Sequence, residues 1–290
     1  SPGYKIDAFN DDGTIQWNAK KLIIATGTYE KIIPFDGWTT PGVIGLAAST
    51  ILLKSHQTIP AKKMVLAGNG PLLILVAYYV LKFGGKVDAI IDTSSKFDWI
   101  TSMFSLIFNP KNFIQGISWI TKIIFSRVPI FSNSLVTKVN KINDGLLVKI
   151  KNIKSNKITE LKTEVLAVGH GLTPSTDISR LLKVKHSYNE LKGGWIPKLD
   201  KFFRSTMNGL YIVGDGSGIS GAIAAEEKGE LAAYAILKDS KIITDKEFKI
   251  YTDKIIKKLN NYEIFAKGIA KLNSTPKSLI DNINDNTVIC

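Results

Sequence analysis

Residues 62–92 read KKMVLAGNGPLLILVAYYVLKFGGKVDAIID: an apolar strand, a glycine turn, an apolar helix, a Gly-Gly stop and a second apolar strand. About 30 residues is the length of one right-handed βαβ crossover between parallel strands. Gly68 permits the tight turn that leaves the first strand, and Gly70 lets the backbone approach a pyrophosphate at the helix N-terminus. Asp92 closes the second strand, where a carboxylate can accept hydrogen bonds from ribose hydroxyls. The stretch therefore predicts a nucleotide-binding unit that prefers a ribose without a 2′-phosphate.

One residue departs from the usual GxGxxG spacing, because Leu73 stands where the third glycine belongs. A leucine keeps helix and strand further apart than a glycine does, which loosens the fit to a dinucleotide. Two interpretations stay open: a nucleotide site, or a structural βαβ unit without a ligand. The order strand, turn, helix and acidic residue favours the site, whose residues would be Gly68, Asn69, Gly70, Pro71, Leu72 and Asp92. NAD(P) and ATP are both candidate occupants.

A second strand–glycine–helix unit occupies residues 209–238, where GLYIVG runs into DGSGISGAIAAEEKGELAAYAIL. The apolar strand delivers Asp215, between Gly214 and Gly216, to its carboxyl end, where open α/β sheets bind ligands. The helix that opens near Gly221 and Ala222 points backbone N–H groups at the same place. The alternative interpretation is that Asp215 caps this helix.

Two shorter motifs also end apolar strands. Ala25-Thr26-Gly27 closes LIIATG, and taken alone it is as typical of an ordinary turn as of backbone lying against a cofactor. Gly169 and His170 end a run of three strands over 134–169, separated by tight polar turns. His170 is equally well interpreted as lining the second nucleotide pocket or as a turn residue.

The order of these elements predicts an α/β fold of two Rossmann-like dinucleotide-binding domains, one inserted in the other, with an antiparallel meander and a helical C-terminal tail. We expect residues 1–56 and 195–240 to form the outer domain and residues 57–194 the inner one. Residues 241–290 are expected to be a mostly helical linker.

Composition excludes several classes of function. The 290 residues are 44% hydrophobic and 22% charged, which is ordinary globular composition. The net charge of +13 comes from scattered lysines with only three arginines, so we predict no nucleic-acid partner. A single cysteine excludes a CxxC redox pair and an internal disulfide framework. Residues 1–20 do not resemble a signal peptide, and no apolar tract reaches the roughly 20 residues that span a bilayer. We expect a cytoplasmic protein without a transmembrane segment.

An aromatic segment at residues 97–131 has a helical pattern, broken at Asn109-Pro110. Core packing is one interpretation, and a surface that docks a partner subunit or touches a membrane peripherally is the other. Its large aromatic residues are Trp99, Phe104, Phe108, Phe113, Trp119 and Phe125.

Taken together, the motifs resemble the two-dinucleotide-domain flavoprotein disulfide reductase fold over residues 1–240. They are most similar to one branch, the alpha subunits of opine oxidases, proline and hydroxyproline dehydrogenases and hydrogen cyanide synthase. The matching stretches are ATGTYEKIIPFDGWTTPGV (25–43), LAGNGPLLI (66–74), VGHGLTPSTDISRLL (168–182), GGWIP (193–197) and LYIVGDGSGISGAIAAEEKGELA (210–232).

The resemblance implies an FAD bound between these motifs and an N-terminal GxGxxG that this sequence lacks, so we expect a fragment. The implied FAD residues are Ala25, Thr26, Gly27, Gly214, Asp215, Gly216, Gly221 and Ala222, and the second nucleotide would also meet Gly169 and His170. It further implies a ferredoxin-like [2Fe-2S] module after the linker. Cys290 stands where the first iron ligand of that module would be, and a free thiol is the alternative.

The resemblance also implies a function. An FAD-containing beta subunit would oxidise the C–N bond of an opine, proline or N-substituted amino acid, and this oxidoreductase subunit would relay the electrons. A small ferredoxin-like subunit is a further implied partner. No catalytic triad, carboxylate pair or metal cluster is recognisable, so any redox chemistry belongs to the flavin. Two alternatives stay open: a non-catalytic nucleotide-binding scaffold, and a stand-alone NAD(P)H-dependent flavin reductase.

Overall fold

The computed structural model describes residues 3–106, 110–272, 276–281, 283 and 287. The strands, in chain order, are β1 (Tyr4–Asn10), β2 (Gly13–Ala19), β3 (Leu22–Ile24), β4 (Thr28–Glu30), β5 (Val43–Gly45), β6 (Lys63–Gly68), β7 (Lys86–Asp92), β8 (Ile130–Ser132), β9 (Ser134–Ile142), β10 (Gly145–Asn152), β11 (Ile158–Thr163), β12 (Val165–Gly169), β13 (Leu172–Pro174), β14 (His186–Asn189), β15 (Gly194–Pro197) and β16 (Leu210–Ile212). The helices are α1 (Leu46–Ser55), α2 (Pro71–Lys82), α3 (Lys96–Leu106), α4 (Pro110–Phe125), α5 (Asp177–Leu181), α6 (Ala222–Asp239), α7 (Asp245–Leu272) and α8 (Lys277–Ile280).

The chain forms two compact units, one of which is inserted in the other. Unit 1 comprises Ser1–Tyr29 and Leu172–Lys267, and unit 2 comprises Glu30–Gly171 and Gly268–Cys290. From the sequence, we expected the chain to pass from the outer to the inner domain after residue 56 and back after residue 194. In the structure, the boundaries between the units fall earlier, after Tyr29 and after Gly171. The first boundary lies earlier than expected because β5 pairs with β12 in unit 2, so that β5 and the helix α1 after it belong to the inner unit.

Unit 2 is built on a five-stranded sheet in the order β5-β12-β6-β7-β8, in which all neighbours are parallel. The predicted βαβ unit is present as β6, α2 and β7. Parallel strands bring their carboxyl ends to one edge, and here Gly68 is aligned with both Gly169 and Asp92. Three of the residues predicted to bind a nucleotide therefore come together at that edge.

The core of unit 2 follows the two-residue period of β6. Met64 and Leu66 face a cluster with helices α1 and α2, while Val65 and Ala67 face a second cluster with the antiparallel strands. A strand that is buried on both faces reads as a continuous apolar run, as this one does. The sheet is thus covered by helices on one side and by a meander on the other.

The meander differs from the sequence prediction in its last strand. The third predicted strand divides at Glu164 into two: β11 pairs with β10, and β12 joins the parallel sheet between β5 and β6. Only β9, β10 and β11 form the antiparallel meander. Gly169 and His170 therefore lie at the edge of the parallel sheet, beside the β6 turn.

Unit 1 contains the parallel pair β3 and β16, in the register Leu22 to Leu210 and Ile24 to Ile212. Helices α6 and α7 pack on this pair through Tyr211, Ala232 and Phe248. The hairpin β1–β2 and the helical character of residues 241–272 follow the prediction. The α/β fold of two dinucleotide-binding-like units, with a meander and a helical tail, is confirmed.

The aromatic segment forms α3 and α4, and part of it packs in the core while part of it is exposed. Ile123 is buried in the unit 2 core, and Trp119 packs against Tyr78 of α2 at 6.0 Å between ring centroids. On α4, in contrast, Ile124 and Phe125 are exposed, the latter to 81%. Phe108 lies outside the described residues, as do the side chains of Phe104 and Phe113.

Candidate functional site

The loops after β3 and β16 lie against each other in unit 1. A Cβ added to Gly216 would lie 3.4 Å from Thr26 Oγ1 and 3.6 Å from the carbonyl oxygen of Gly27. The Thr26 hydroxyl donates to the carbonyl of Ser175 at 2.8 Å, and the Gly27 carbonyl accepts from the Ser175 N–H at 2.9 Å. The two motifs that the family resemblance pairs are therefore neighbours in space.

The β3 loop and the segment just before α6 have free space at two glycines whose backbone conformation favours glycine. Gly27 and Gly221 have φ of +69° and +91°, in the region that favours glycine, and an added Cβ at either would meet no atom within 4 Å. Helix α6 begins just after Gly221 and has no side-chain cap on its first N–H groups. Uncapped N–H groups at the start of an 18-residue helix can donate hydrogen bonds to an anionic group.

Asp215 shapes the loop rather than capping the helix in the usual way. Its Oδ1 accepts from the N–H groups of Ser220 and Gly221, at 2.9 and 3.2 Å. Both of these bonds leave the second carboxylate oxygen, Oδ2, to other partners, and Asp215 is half-buried. Asp215 can thus hold the loop with one oxygen and offer the other to a ligand hydroxyl.

Lys228 is a residue of this site that the sequence did not predict. It lies two turns into α6, is 2% exposed, and its Nζ donates to the carbonyls of Gly218 at 2.6 Å and Gly214 at 3.2 Å. Burial lowers the pKa of Lys228 to about 8, partly offset by the charge of Asp215. The only sign of this role in the sequence is that a lysine occupies a position on the face of α6 that is buried.

A pocket of about 470 Å³ lies beside Ala25 and Thr26 along β3, lined also by β1. The loop residues and the uncapped start of α6 follow the carboxyl ends of two parallel strands, and the pocket extends along β3 to Ala25 and Thr26 at the end of one of them. This is where open α/β sheets hold nucleotides. Within unit 1 the arrangement can hold an extended nucleotide through backbone contacts, a carboxylate and a helix N-terminus.

The β6 turn in unit 2 is tight and covered. Gly68 has φ of +146°, and a Cβ there would lie 1.8 Å from the Gly169 carbonyl oxygen, so only glycine fits. Gly68, Asn69 and Gly70 are all buried, and Leu73 is fully buried in the core. Pro71 begins α2 and has no N–H to offer, while Leu72 beside it is half-buried.

Asp92 is also covered. It is 3% exposed, and its carboxylate accepts from the N–H of Ser94 at 2.8 Å and from the indole N–H of Trp99 at 2.7 Å. Burial raises the pKa of Asp92, and the hydrogen bonds from Trp99 and Ser94 oppose that rise. The Asp92 carboxylate, which we expected to accept hydrogen bonds from a ribose, therefore accepts one from the indole of Trp99.

His170 lines a different pocket of unit 2, about 330 Å³ in volume, together with Glu30 and Trp38. Its Nδ1 is buried without a hydrogen-bond partner among the described residues. Burial lowers its pKa to about 4, and the nearby charge of Lys31 acts in the same direction. His170 is thus a neutral pocket residue, and of the residues predicted for the second nucleotide only Gly169 lines the same pocket.

Glu30, which the sequence did not point to, caps helix α1 from this pocket. Its Oε1 accepts from the Ala47 N–H at 2.9 Å. Burial raises the pKa of Glu30, and the backbone N–H groups of Ala47, Leu46 and Ala48 oppose the rise. A Cβ on Gly169 would lie 2.6 Å from the same carboxylate, so Gly169 makes room for it.

Over the described part of the chain, no group of three His, Cys, Asp or Glu residues is placed to hold a metal ion. Cys290, expected as an iron ligand, lies outside the described residues. In the same described part, no helix has both the length and the apolar character that crossing a bilayer needs.

Comparison with protein families matches residues 4–236 to the pyridine nucleotide-disulphide oxidoreductases. The chain belongs to this family. Its members are FAD-dependent oxidoreductases with two dinucleotide-binding domains, which agrees with the two units and with the resemblance drawn from the sequence. The 290 residues contain one cysteine, so no cysteine pair lies within them.

Among curated proteins, an opine oxidase subunit of Rhizobium meliloti is 31% identical over 223 residues, covering 75% of this chain and 48% of that protein. Hydrogen cyanide synthase subunit HcnB of Pseudomonas aeruginosa is 26% identical over 277 residues, covering 93% and 59%. The chain thus spans about half the length of these relatives. Both relatives are named as subunits, so the resemblance to this branch is confirmed.

Among solved structures, thioredoxin reductase of T. acidophilum aligns with a TM-score of 0.59 at 22% identity, over 81% of this chain and 69% of that one. L-proline dehydrogenase from P. horikoshii aligns with a TM-score of 0.56 at 18% identity, over 88% and 42%. At sequence identities this low, the two alignments show a shared fold alone.

The family implies two bound cofactors, FAD and a pyridine nucleotide, and the residues of this chain fit the first better than the second. Unit 1 fits the FAD: Gly27 and Gly221 leave room, and Asp215 and the start of α6 offer polar contacts. Unit 2 fits a pyridine nucleotide poorly, because the Asp92 carboxylate is already bound by Trp99 and Ser94.

Proposed function

We propose that this chain is the FAD-binding subunit of an oxidoreductase in which a partner subunit oxidises an amine or imino acid. The observation that carries the proposal is the meeting of the β3 and β16 loops in unit 1, where Gly216 lies against Thr26 and Gly27. The similarity to the opine oxidase subunit supports the substrate class, because opines carry a secondary amine.

In this function the residues of unit 1 bind and orient the cofactor. The backbone of Ala25, Thr26 and Gly27 would lie against it, and Asp215 would accept a hydrogen bond from one of its hydroxyls through Oδ2. The backbone at Gly221 and the first uncapped N–H groups of α6, from Ala222 onward, would face its pyrophosphate. Bound FAD would supply the redox chemistry by taking up electron pairs and releasing them singly.

Lys228 has a supporting part in this scheme. By donating to the carbonyls of Gly214 and Gly218 it holds the loop that carries Asp215 and Gly216. Its charge also partly balances that of Asp215. Lys228 is therefore proposed as a positioning residue for the FAD loop.

The electron relay extends the proposal beyond this chain. The partner would be a beta subunit that carries its own FAD, and a [2Fe-2S] module, opened by Cys290, would carry the electrons onward. The division into an FAD domain with its N-terminal part outside this sequence, an inner nucleotide-binding-like domain and a C-terminal linker belongs to the same proposal.

The first test uses two matched glycine substitutions in the full-length protein. Gly216→Ala puts a methyl group 3.4 Å from Thr26 Oγ1, whereas Gly229→Ala, on α6, meets no atom within 4 Å. The added methyl group makes only an ordinary contact with Thr26, so we expect Gly216→Ala to weaken FAD binding roughly tenfold or more by taking space that the cofactor needs at the proposed site. Gly229→Ala should bind FAD like the wild type. Equal FAD binding by both variants, or no FAD in the wild type, would contradict the proposed site and favour a scaffold.

The second test separates the relay from a flavin reductase. The full-length protein, copurified with its partner subunits, is mixed under anaerobic conditions with an opine, with proline or with NADH. Bleaching of the flavin by an amine or imino acid, and only with the partner present, is the expected result. Rapid bleaching by NADH alone would show a flavin reductase instead.

A further inference from the structure

Asp92 stands at the position where the dinucleotide-binding fold recognises a ribose. It ends β7 and is aligned with Gly68 of the glycine turn. In this fold an acidic side chain there accepts hydrogen bonds from the ribose hydroxyls. In this chain both carboxylate oxygens are engaged, Oδ1 by the N–H of Ser94 and Oδ2 by the indole N–H of Trp99. Little of the side chain is left to solvent.

The placement of Trp99 is fixed by the start of helix α3. The hydroxyl and N–H of Ser95 donate to Asp98 Oδ2 at 2.6 and 2.7 Å, and the Asp98 N–H donates to Ser95 Oγ at 3.1 Å. This reciprocal pair is a capping box, which sets where a helix begins. Trp99 follows Asp98 in the first turn, so the box directs the indole to Asp92. The same cap brings the Asp98 charge near Asp92.

The exchange of Trp99 for a ribose brings no gain in hydrogen bonding. Because Asp92 is 3% exposed, a hydroxyl could approach Oδ2 only if the indole moved away, and the displaced indole would lose its acceptor. The indole would also have to move out of the space that the ribose needs.

We infer that Trp99 takes the place of the ribose at Asp92 and closes unit 2 to NADH and NADPH. Trp99 is then a specificity-determining residue, which separates this chain from relatives that receive electrons from pyridine nucleotides. The inference concerns unit 2 alone and does not depend on the FAD site in unit 1.

The test measures NADH binding by calorimetry to the full-length protein and to three variants. We expect Trp99→Ala to bind NADH roughly tenfold or more tightly than the wild type, since a hydrogen-bonding carboxylate becomes available. The double variant Trp99→Ala, Asp92→Asn should lose that gain, because the ribose would no longer meet a carboxylate. Trp119→Ala removes another half-buried tryptophan of unit 2 and should bind NADH like the wild type.

Two results would overturn the inference. One is an NADH affinity of the wild type within a few-fold of that of Trp99→Ala, and the other is a double variant that keeps the gain. If Trp99→Ala does not fold, the indole N–H resonances of the wild type decide the matter, with Trp99 assigned from Trp99→Phe. A Trp99 indole signal that NADH leaves in place supports the inference, and one that NADH shifts contradicts it.

Discussion

The ammonium group of Lys228 lies 2.6 Å from the carbonyl oxygen of Gly218 and donates to it from within α6. The same group reaches the carbonyl of Gly214, four residues earlier in the loop. One side chain thus ties both ends of the segment Gly214–Gly218 to the helix that follows it. Because Asp215 and Gly216 lie inside this segment, Lys228 fixes the part of unit 1 on which the proposed FAD site depends.

Substitution of Lys228 by methionine should destabilise unit 1. Methionine is similar in length but has no donor, so the carbonyls of Gly214 and Gly218 lose their partner. We expect the free energy of unfolding to fall by about 1–3 kcal/mol, the range for a buried polar group left unsatisfied. Urea unfolding measures the change, with Lys254→Met, at an exposed position of α7, as the control. A Lys228→Met protein as stable as the control would contradict the role.

The contribution of Lys228 should depend on pH in a definite direction. Its pKa is lowered to about 8 by burial in the folded chain, against 10.5 as the ordinary value. Between these values the unfolded chain binds more protons, so the wild type gains stability as the pH rises, by at most about 1.4 kcal/mol per pH unit. Asp215, Lys192 and Glu263 are the charges that act on Lys228.

The measurement compares the wild type with Lys228→Met at about pH 7.5, below the folded pKa of about 8, and at about pH 9.5, between that value and the ordinary 10.5. The difference in the free energy of unfolding between the two proteins should grow with pH. A constant difference would show that Lys228 titrates as an exposed lysine does.

Much of this architecture could be predicted from the sequence because it depends on local periodicity. The run that forms β6, α2 and β7 is apolar with two glycine interruptions, and these alone indicate a parallel crossover. The helix start at Gly221–Ala222 followed from glycine and alanine content in the same way. The adjacency of Gly216 and Gly27 was expected only through a family resemblance.

What could not be predicted depends on contacts between residues distant along the chain. Residues 158–169 read as one strand, yet β12 joins the parallel sheet because Leu166 and Ala167 are buried on both its faces. Asp92 read as a free carboxylate because nothing in its own strand shows that the indole of Trp99, from the next helix, turns back onto it. The capping box at Ser95 and Asp98 was the signal that would have placed that helix.

The Arg204–Asp239 pair should stabilise unit 1 at neutral pH. Arg204 donates to Asp239 from Nε at 2.8 Å and from a terminal nitrogen at 2.7 Å, and the Tyr211 hydroxyl donates to the same carboxylate. We expect Asp239→Asn to lower the free energy of unfolding by about 1–3 kcal/mol, because a forked, charge-assisted pair is lost. Asp253→Asn, at an exposed position of α7, is the control.

That stabilisation should vanish in acid. The hydrogen bond from Arg204 lowers the pKa of Asp239 below its ordinary value of 3.8. A carboxylate of this kind stabilises the fold above its unfolded pKa, and the stabilisation is lost as the pH falls through the lower, folded value. The difference between wild type and Asp239→Asn should therefore shrink below pH 3.8. A difference that stays unchanged in acid would contradict the pairing.

His170 should make unit 2 sensitive to mild acid. Its pKa is about 4 in the folded chain and 6.5 ordinarily, so between these values the unfolded chain binds more protons. The free energy of unfolding should therefore fall as the pH drops from 6.5 towards 4, and His170→Gln should remove that part of the dependence. His56→Gln, at an exposed position, should not. Identical pH profiles for wild type and His170→Gln would contradict a buried, neutral imidazole.

Glu30, in the same pocket as His170, should have the opposite dependence on pH. Burial raises its pKa above the ordinary 4.5, so just above that value the folded chain binds more protons than the unfolded chain. The wild type should then gain stability, relative to Glu30→Gln, as the pH falls towards 4.5. Glutamine keeps an oxygen to accept from the Ala47 N–H, so the comparison isolates the titration from the loss of the helix cap. Glu190→Gln, exposed in unit 1, is the matched control, and urea unfolding at several pH values is the measurement. A slope of the same sign as that of His170 would show that the Glu30 carboxylate is not the buried group described.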